Sequence, residues 1–198
     1  MNRHLGISLL SLAVGPLAPV LAQPVRTNLA DAAFAPVVNP PPLPPGVGMF
    51  FGPEDKLADR IIGAINSATS EILVCQHVLT HSGIARTLVD AFKRRKVIVV
   101  VLLDPRPNLA GKYQTPEYFA INGVPVYAMQ TGGGNAYIVI DRKVVLTGTF
   151  DFTESATRTD ESLLAISESG IVVRFYNHFV NRLRASRRFE GPSTTAVR

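Results

Sequence analysis

Apolar residues fall in short blocks whose period alternates between that of a helix and that of a strand. Leu57, Ile61, Ile62 and Ile65 recur at helical spacing behind Pro53-Glu54-Asp55. A proline near a first turn and acids at its positive end predict a helix opening at Pro53. Residues 71–78 read as a strand, with Ile72, Leu73, Val74 and Cys75 suited to burial. A break at Thr80 to Gly83 precedes a second helix over 84–95, with Ile84, Leu88, Ala91 and Phe92 inward. Residues 97–104 are almost continuously apolar, as expected of a central strand covered on both faces, and Asp104-Pro105-Arg106-Pro107 ends it. A short helix over 115–122, strands over 124–129, 136–140, 143–146 and 162–166, and a last helix over 171–186 complete the pattern. Strands and helices alternating at this length predict an α/β sandwich with a mixed central sheet flanked by helices.

The ends of the chain follow other rules. Residues 1–22 read as a secretory signal: one charge at Arg3, an apolar stretch broken by Pro16 and Pro19, and small residues in Val20-Leu21-Ala22 before Gln23. This predicts a periplasmic or secreted protein. Residues 23–48 show no period, and the twelve residues from Ala35 to Gly46 hold six prolines, which favours extended polyproline II and a semi-rigid tether. The predicted folded domain spans 49–190, and 191–198 form a flexible tail. Arg182, Arg184, Arg187 and Arg188 read as a continuation of the last helix.

Composition narrows the function classes. With 18% charged residues the 198-residue chain is not wholly disordered, and one Cys cannot form an intramolecular disulfide. No apolar run after the N-terminal segment is long enough to span a bilayer. The net charge of +5 is compatible with phosphate-bearing partners. Lys93, Arg94, Arg95 and Lys96, and the Arg184, Arg187, Arg188 group, are candidate phosphate contacts; each also reads as a solvated helix end, which is the default reading for the Lys93–Lys96 run. Cys75-x-His77-x3-His81 matches no zinc signature, so neither metal nor cofactor is implied.

Residues 138–153, IVIDRKVVLTGTFDFT, resemble the phospholipase D superfamily motif, H-x-K-x4-D followed by a G-S-x-N box, in the form carried by small bacterial Nuc-like endonucleases. Phe50-Phe51-Gly52-Pro53, the stretch ending in Leu79-Thr80, Lys93-Arg94-Arg95-Lys96-Val97, and Asp160-Glu161-Ser162 resemble that group too. The resemblance implies a phosphodiesterase in which a motif His attacks phosphorus, a second His protonates the leaving oxygen, and Lys, Ser and Asn stabilise the phosphoryl charge. It also implies a homodimer, because one motif supplies half of that set.

At the family positions the residues differ. Counting back from Asp141, Gly134 occupies the His position and Ala136 the Lys position. Thr149 replaces Ser and Asp151 replaces Asn, while Asp141 and Glu161 are retained. Three readings result. The first is an exported binder of phosphodiesters, nucleic acid or anionic phospholipid head group, with little or no catalysis. The second is an active phosphodiesterase using displaced residues such as His77 or His81. The third is a structural homodimer in an envelope assembly.

Overall fold

The computed structural model describes residues 41–109 and 115–190. The predicted signal segment, most of the tether and the tail lie outside them. In chain order the elements are β1 (Val47–Phe51), α1 (Leu57–Ser67), β2 (Glu71–Gln76), α2 (Ser82–Lys93), β3 (Ile98–Leu103), α3 (Pro105–Leu109), α4 (Thr115–Ile121), β4 (Val126–Ala128), β5 (Tyr137–Ile140), β6 (Val144–Gly148), β7 (Ser162–Ile166), α5 (Ser169–Arg184) and β8 (Arg187–Arg188).

The strands form one mixed sheet in the order β1-β7-β6-β5-β2-β3-β4-β8. β2, β3 and β4 are parallel, and the other neighbouring pairs are antiparallel. All six residues of β2 are buried. Ile72 and Val74 face the layer of Ile61, Ile65, Ile84 and Leu88 from α1 and α2. Leu73 and Cys75 face the layer of Val172 and Phe179 from α5. The period-2 alternation of a strand thus serves two cores, which is why β2 reads as an unbroken apolar run.

Four expectations are corrected. The first helix begins at Leu57, not Pro53, because the Asp55 carboxylate accepts the Phe51 N–H (2.8 Å) and holds residues 52–55 as a turn. The tether is shorter than predicted, since Val47 and Gly48 already pair with Ile166 and Ala165 of β7. Pro105–Leu109, read as a strand terminator, is itself a helical turn. Arg187 and Arg188 do not continue the last helix; they form β8, pairing with Ala128 and Tyr127.

The pairing directions define two ends of the sheet. The C-terminal ends of β2, β3, β4 and β6 and the N-terminal ends of β5 and β7 share one end. The β5–β6 turn and the N-terminal ends of β2 and β3 lie at the other. That turn holds Asp141 (φ 52°) and Arg142 (φ 55°) in the left-handed region. The strain of two non-glycine residues there is offset by anchoring. Asp141 accepts hydrogen bonds from the Thr69, Ser70 and Glu71 backbone, and Arg142 forks onto Glu71 at 2.6 and 3.1 Å.

Candidate functional site

The family-motif positions converge at the end where β2, β3 and β6 finish. Gly148 lets the chain leave β6 close to β7, since a Cβ there would collide with the Ser162 carbonyl oxygen. Thr149 then exchanges bonds with Ser162: its N–H donates to the Ser162 carbonyl (3.1 Å) and its hydroxyl accepts the Ser162 N–H (2.9 Å). Phe152 forms a bridge with Leu79, and its carbonyl accepts the N–H groups of Thr80 and His81, both at 2.8 Å. This stitch fixes the segment after β2 against the segment after β6 and brings His77 beside Asp151.

His77 sits at the end of β2 and Asp104 at the end of the parallel neighbour β3. Extending their register by one residue sets the two side by side. The imidazole Nδ1 lies 3.3 Å from Asp104 Oδ2. Asp104 is fully buried and is held by the Arg106 guanidinium, by the Arg106 N–H and by the Gly133 N–H. The Arg106 fork, at 2.7 Å on Oδ2 and 3.2 Å on Oδ1, holds its carboxyl down at about 2 against the opposing effect of burial. Gly132 makes room for that fork: a Cβ there would run into the Arg106 guanidinium. Burial pushes the Asp151 carboxyl up; the His77 imidazole pulls it down and Glu161 pushes it up further. The centre is therefore carboxylate-rich, with its principal cation already committed to Asp104.

Gly134 has nothing within 4 Å of where its Cβ would stand, so the family's His position is open space. Ala136 is buried, and its carbonyl accepts the Thr147 hydroxyl at 2.9 Å. Continuing the β2–β5 register by one residue places Gln76 opposite Ala136. Gln76 is fully buried, and neither its amide oxygen nor its amide nitrogen has a hydrogen-bond partner among the described residues. A buried unpaired amide costs about 1–3 kcal/mol. Gln76→Met, which keeps the volume and removes the amide, is expected to raise stability by about 1–2 kcal/mol. A higher urea midpoint at unchanged m-value would show it, and a lower one would mean that the amide is bonded after all.

The structure separates several residues that the sequence grouped. His81 caps α2, its Nδ1 accepting the Ile84 N–H (3.2 Å) and its Nε2 lying 3.5 Å from Glu154. It caps the helix, and of the two substitute histidines it is His77 that acts on the Asp151 carboxyl. Asp141 lies at the opposite end of the sheet and is structural. Arg95 caps the end of α1, its guanidinium donating to the carbonyls of Ile65, Asn66 and Ala68. Lys93 bonds Asn122 (3.0 Å) and Arg94 pairs with Asp90 (3.2 Å), and the whole Lys93–Lys96 run lies at the end away from Gly134 and Asp151. Arg184 and Arg187, by contrast, lie toward the motif end, where α5 finishes. Glu161 accepts the Thr159 hydroxyl (2.8 Å) near Asp151. Among the described residues no group of three His, Cys, Asp or Glu is placed to hold a metal ion.

Asp104 and Arg106 are silent in the sequence because Asp-Pro-Arg-Pro reads as a strand stop. The available signal was that a parallel neighbour of a strand ending in His ended in Asp.

Comparison with known proteins agrees with this geometry. The family model described as cardiolipin synthase, PLD-like domain, matches residues 61–183. A phospholipase D of Rickettsia bellii is 29% identical over 139 residues, covering 69% of this chain and 68% of that protein. A phospholipase D of Rickettsia prowazekii is 30% identical over 148 residues, covering 71% and 69%. The crystal structure of Nuc, a phospholipase D family member from Salmonella typhimurium, superposes with a TM-score of 0.68 at 27% identity, covering 73% of this chain and 98% of that one. With the sheet order, the motif positions and these relatives in agreement, the chain belongs to the phospholipase D superfamily and is Nuc-like in architecture.

Proposed function

We propose that this chain is an exported, phosphodiester-binding member of the superfamily that does not turn substrate over through the family motif. One observation carries the reading: the motif end presents Gly134 in open space and a buried Ala136 where a nucleophile and a cation are required, with the half-buried Asp151 carboxylate in the box. A carboxylate there repels a phosphate. Binding then rests on cations around the pocket, and Arg184, Arg187 and Arg188 are exposed where α5 ends and β8 begins. The working unit is a two-fold dimer pairing the 134–151 regions of two chains, and light scattering at micromolar concentration checks its mass.

The test is retention of labelled duplex DNA and of phosphatidylglycerol vesicles across a salt series. Affinity for duplex is expected to fall with a log–log slope of about −0.9 per phosphate neutralised. Arg184→Gln, Arg187→Gln and Arg188→Gln together flatten the slope, whereas Asp151→Asn leaves it nearly unchanged because it adds no cation. Indifference to both DNA and vesicles at low salt would overturn the reading and bring the structural homodimer forward. The second reading, hydrolysis through His77, is favoured by the bond from its imidazole to the buried Asp104. A histidine oriented by a buried carboxylate is a recurrent arrangement for proton transfer and nucleophilic attack.

A further inference from the structure

Beside the motif end, on the α5 face of the sheet, lies a cavity of about 200 Å³ lined by Asn135, Tyr137, Arg174, Phe175 and His178. Arg174, His178 and Arg182 are spaced four residues apart on α5 and so form one stripe along the helix. Arg60, Arg94, Arg106 and Arg142 each pair with a carboxylate. Arg174 and Arg182 have no carboxylate partner among the described residues, and both are exposed. No acid lines the cavity.

The hydrogen bonds fix what the cavity offers. Arg182 Nε, which can only donate, lies 3.4 Å from His178 Nε2. That nitrogen therefore accepts, and His178 Nδ1–H donates to the Tyr137 hydroxyl at 2.8 Å. Arg182 Nη1 also donates to Thr131 Oγ1 (3.2 Å), which ties the helix to the chain entering Gly132–Gly134. Burial, followed by the Arg182 charge, holds the His178 imidazole below its ordinary value, so it is neutral at pH 7 and serves as an aromatic wall. Tyr137 meets Phe175 edge-on, with ring centres 4.9 Å apart, and His178 at 5.8 Å. The result is a recess with aromatic walls and an amide at its rim, between two uncompensated guanidinium groups about 12 Å apart along the helix.

We infer that this recess is a nucleotide seat: it takes one base of a single-stranded nucleic acid among Phe175, Tyr137 and His178, with Arg174 and Arg182 on the flanking phosphates. This rests on the phosphodiester-binding reading and locates the contact outside the motif pocket, on residues of α5. Flat rings and an amide suit a base, which stacks and offers hydrogen-bonding edges. A lipid head group would use the cations and leave the aromatic walls unused.

The experiment is fluorescence anisotropy with a labelled single-stranded oligothymidylate, run beside a duplex of equal length and phosphatidylglycerol vesicles. Arg174→Gln with Arg182→Gln is expected to weaken oligothymidylate binding at least tenfold and to reduce the salt slope by about 0.7 for each phosphate left without its guanidinium. Phe175→Leu is expected to weaken binding about tenfold with the slope unchanged, because stacking releases no counterions. Asn135→Ala, at an exposed position, is expected to weaken binding several-fold and does not depend on repacking. Lys93→Gln with Arg94→Gln, at the other end of the sheet, is expected to leave binding as it was. Parental affinity in the Arg174 and Arg182 double variant overturns the seat while leaving the phosphodiester-binding reading intact. Vesicle binding lost through that double variant, without oligothymidylate binding in the parent, overturns the nucleotide assignment in favour of a membrane. Failure of the parent to bind any of the three probes at low salt overturns the broader reading and the seat with it.

Discussion

Hydrolysis of bis-p-nitrophenyl phosphate by the purified chain is expected at or near background, about 10⁴-fold or more below a relative that carries the complete motif. The reason lies at two positions. Gly134 supplies no nucleophile and Ala136 no charge, and each loss costs several kcal/mol of barrier, with every 1.36 kcal/mol worth tenfold in rate. The measurement is initial rate against enzyme concentration, with Thr149→Ala, Asp151→Asn and His77→Ala as controls. Robust turnover abolished by the Thr149 or Asp151 change would show that the motif end works as it stands. Robust turnover abolished by His77→Ala alone would install the His77–Asp104 pair as the reacting centre. The geometry also ranks the restorations. Gly134→His enters open space and is expected to fold. Ala136→Lys must place its stem in a buried position opposite the fully buried Gln76, and is expected to cost stability unless the Gln76 carbonyl accepts from the new ammonium.

Asp141→Ala is expected to cost about 3 kcal/mol, roughly a 10 °C fall in Tm for a domain of this size. The carboxylate accepts five hydrogen bonds at 2.8–2.9 Å: from the N–H and hydroxyl of both Thr69 and Ser70, and from the Glu71 N–H. These bonds dock the β5–β6 turn onto the start of β2 across some seventy residues of sequence. Truncation strands those donors and removes a residue that tolerates the left-handed conformation. Asp141→Asn keeps one acceptor oxygen and is expected to lose about half as much. The pH dependence has a definite sign. Burial acts to raise the Asp141 carboxyl, but the N–H groups of Glu71, Thr69 and Ser70 overcome it and hold the carboxyl well below its ordinary value. A lowered folded-state value means that the stabilisation is present above the unfolded carboxylate value near 3.9 and is lost as pH falls below it. Acid unfolding should accordingly be shallower in Asp141→Ala than in the parent. An alanine variant with parental stability and an unchanged acid limb would refute this account. Because Asp141 lies at the end away from Asp151, the duplex-DNA retention proposed for the parent is expected to be the same in the folded variant.

The apolar runs revealed most of the sheet because burial on two faces leaves no polar position to hide them. Ile72–Cys75 and Val99–Leu103 read as strands without help. β1 was missed because Gly48 and its proline-rich approach carry no period, and its pairing partner lies more than a hundred residues away. β8 was missed for a related reason: two arginines have no strand signature, and only the edge of β4 makes them one. The same contrast runs through the candidate site. The departures at Gly134, Ala136 and Asp151 are countable from Asp141, so the change of residue types at the motif positions was legible in the chain. The role of Asp141 itself was not, since a spacing cannot say which end of the sheet a turn occupies.

What the sequence determined by itself is therefore local: the period of each element, the residue types at each motif position, and the family to which they point. Tertiary structure decided which charges meet. Parallel strands place His77 beside Asp104 although 27 residues separate them, and the same topology sends Lys93–Lys96 and Arg184–Arg187 to opposite ends of the molecule. Helical spacing set Arg174, His178 and Arg182 in line, but only the packing of α5 against β5 turned that line into the rim of a cavity. Burial then fixed the chemistry, because a carboxylate, an imidazole or an amide takes its proton and its partners from what surrounds it, and those neighbours are remote in the chain.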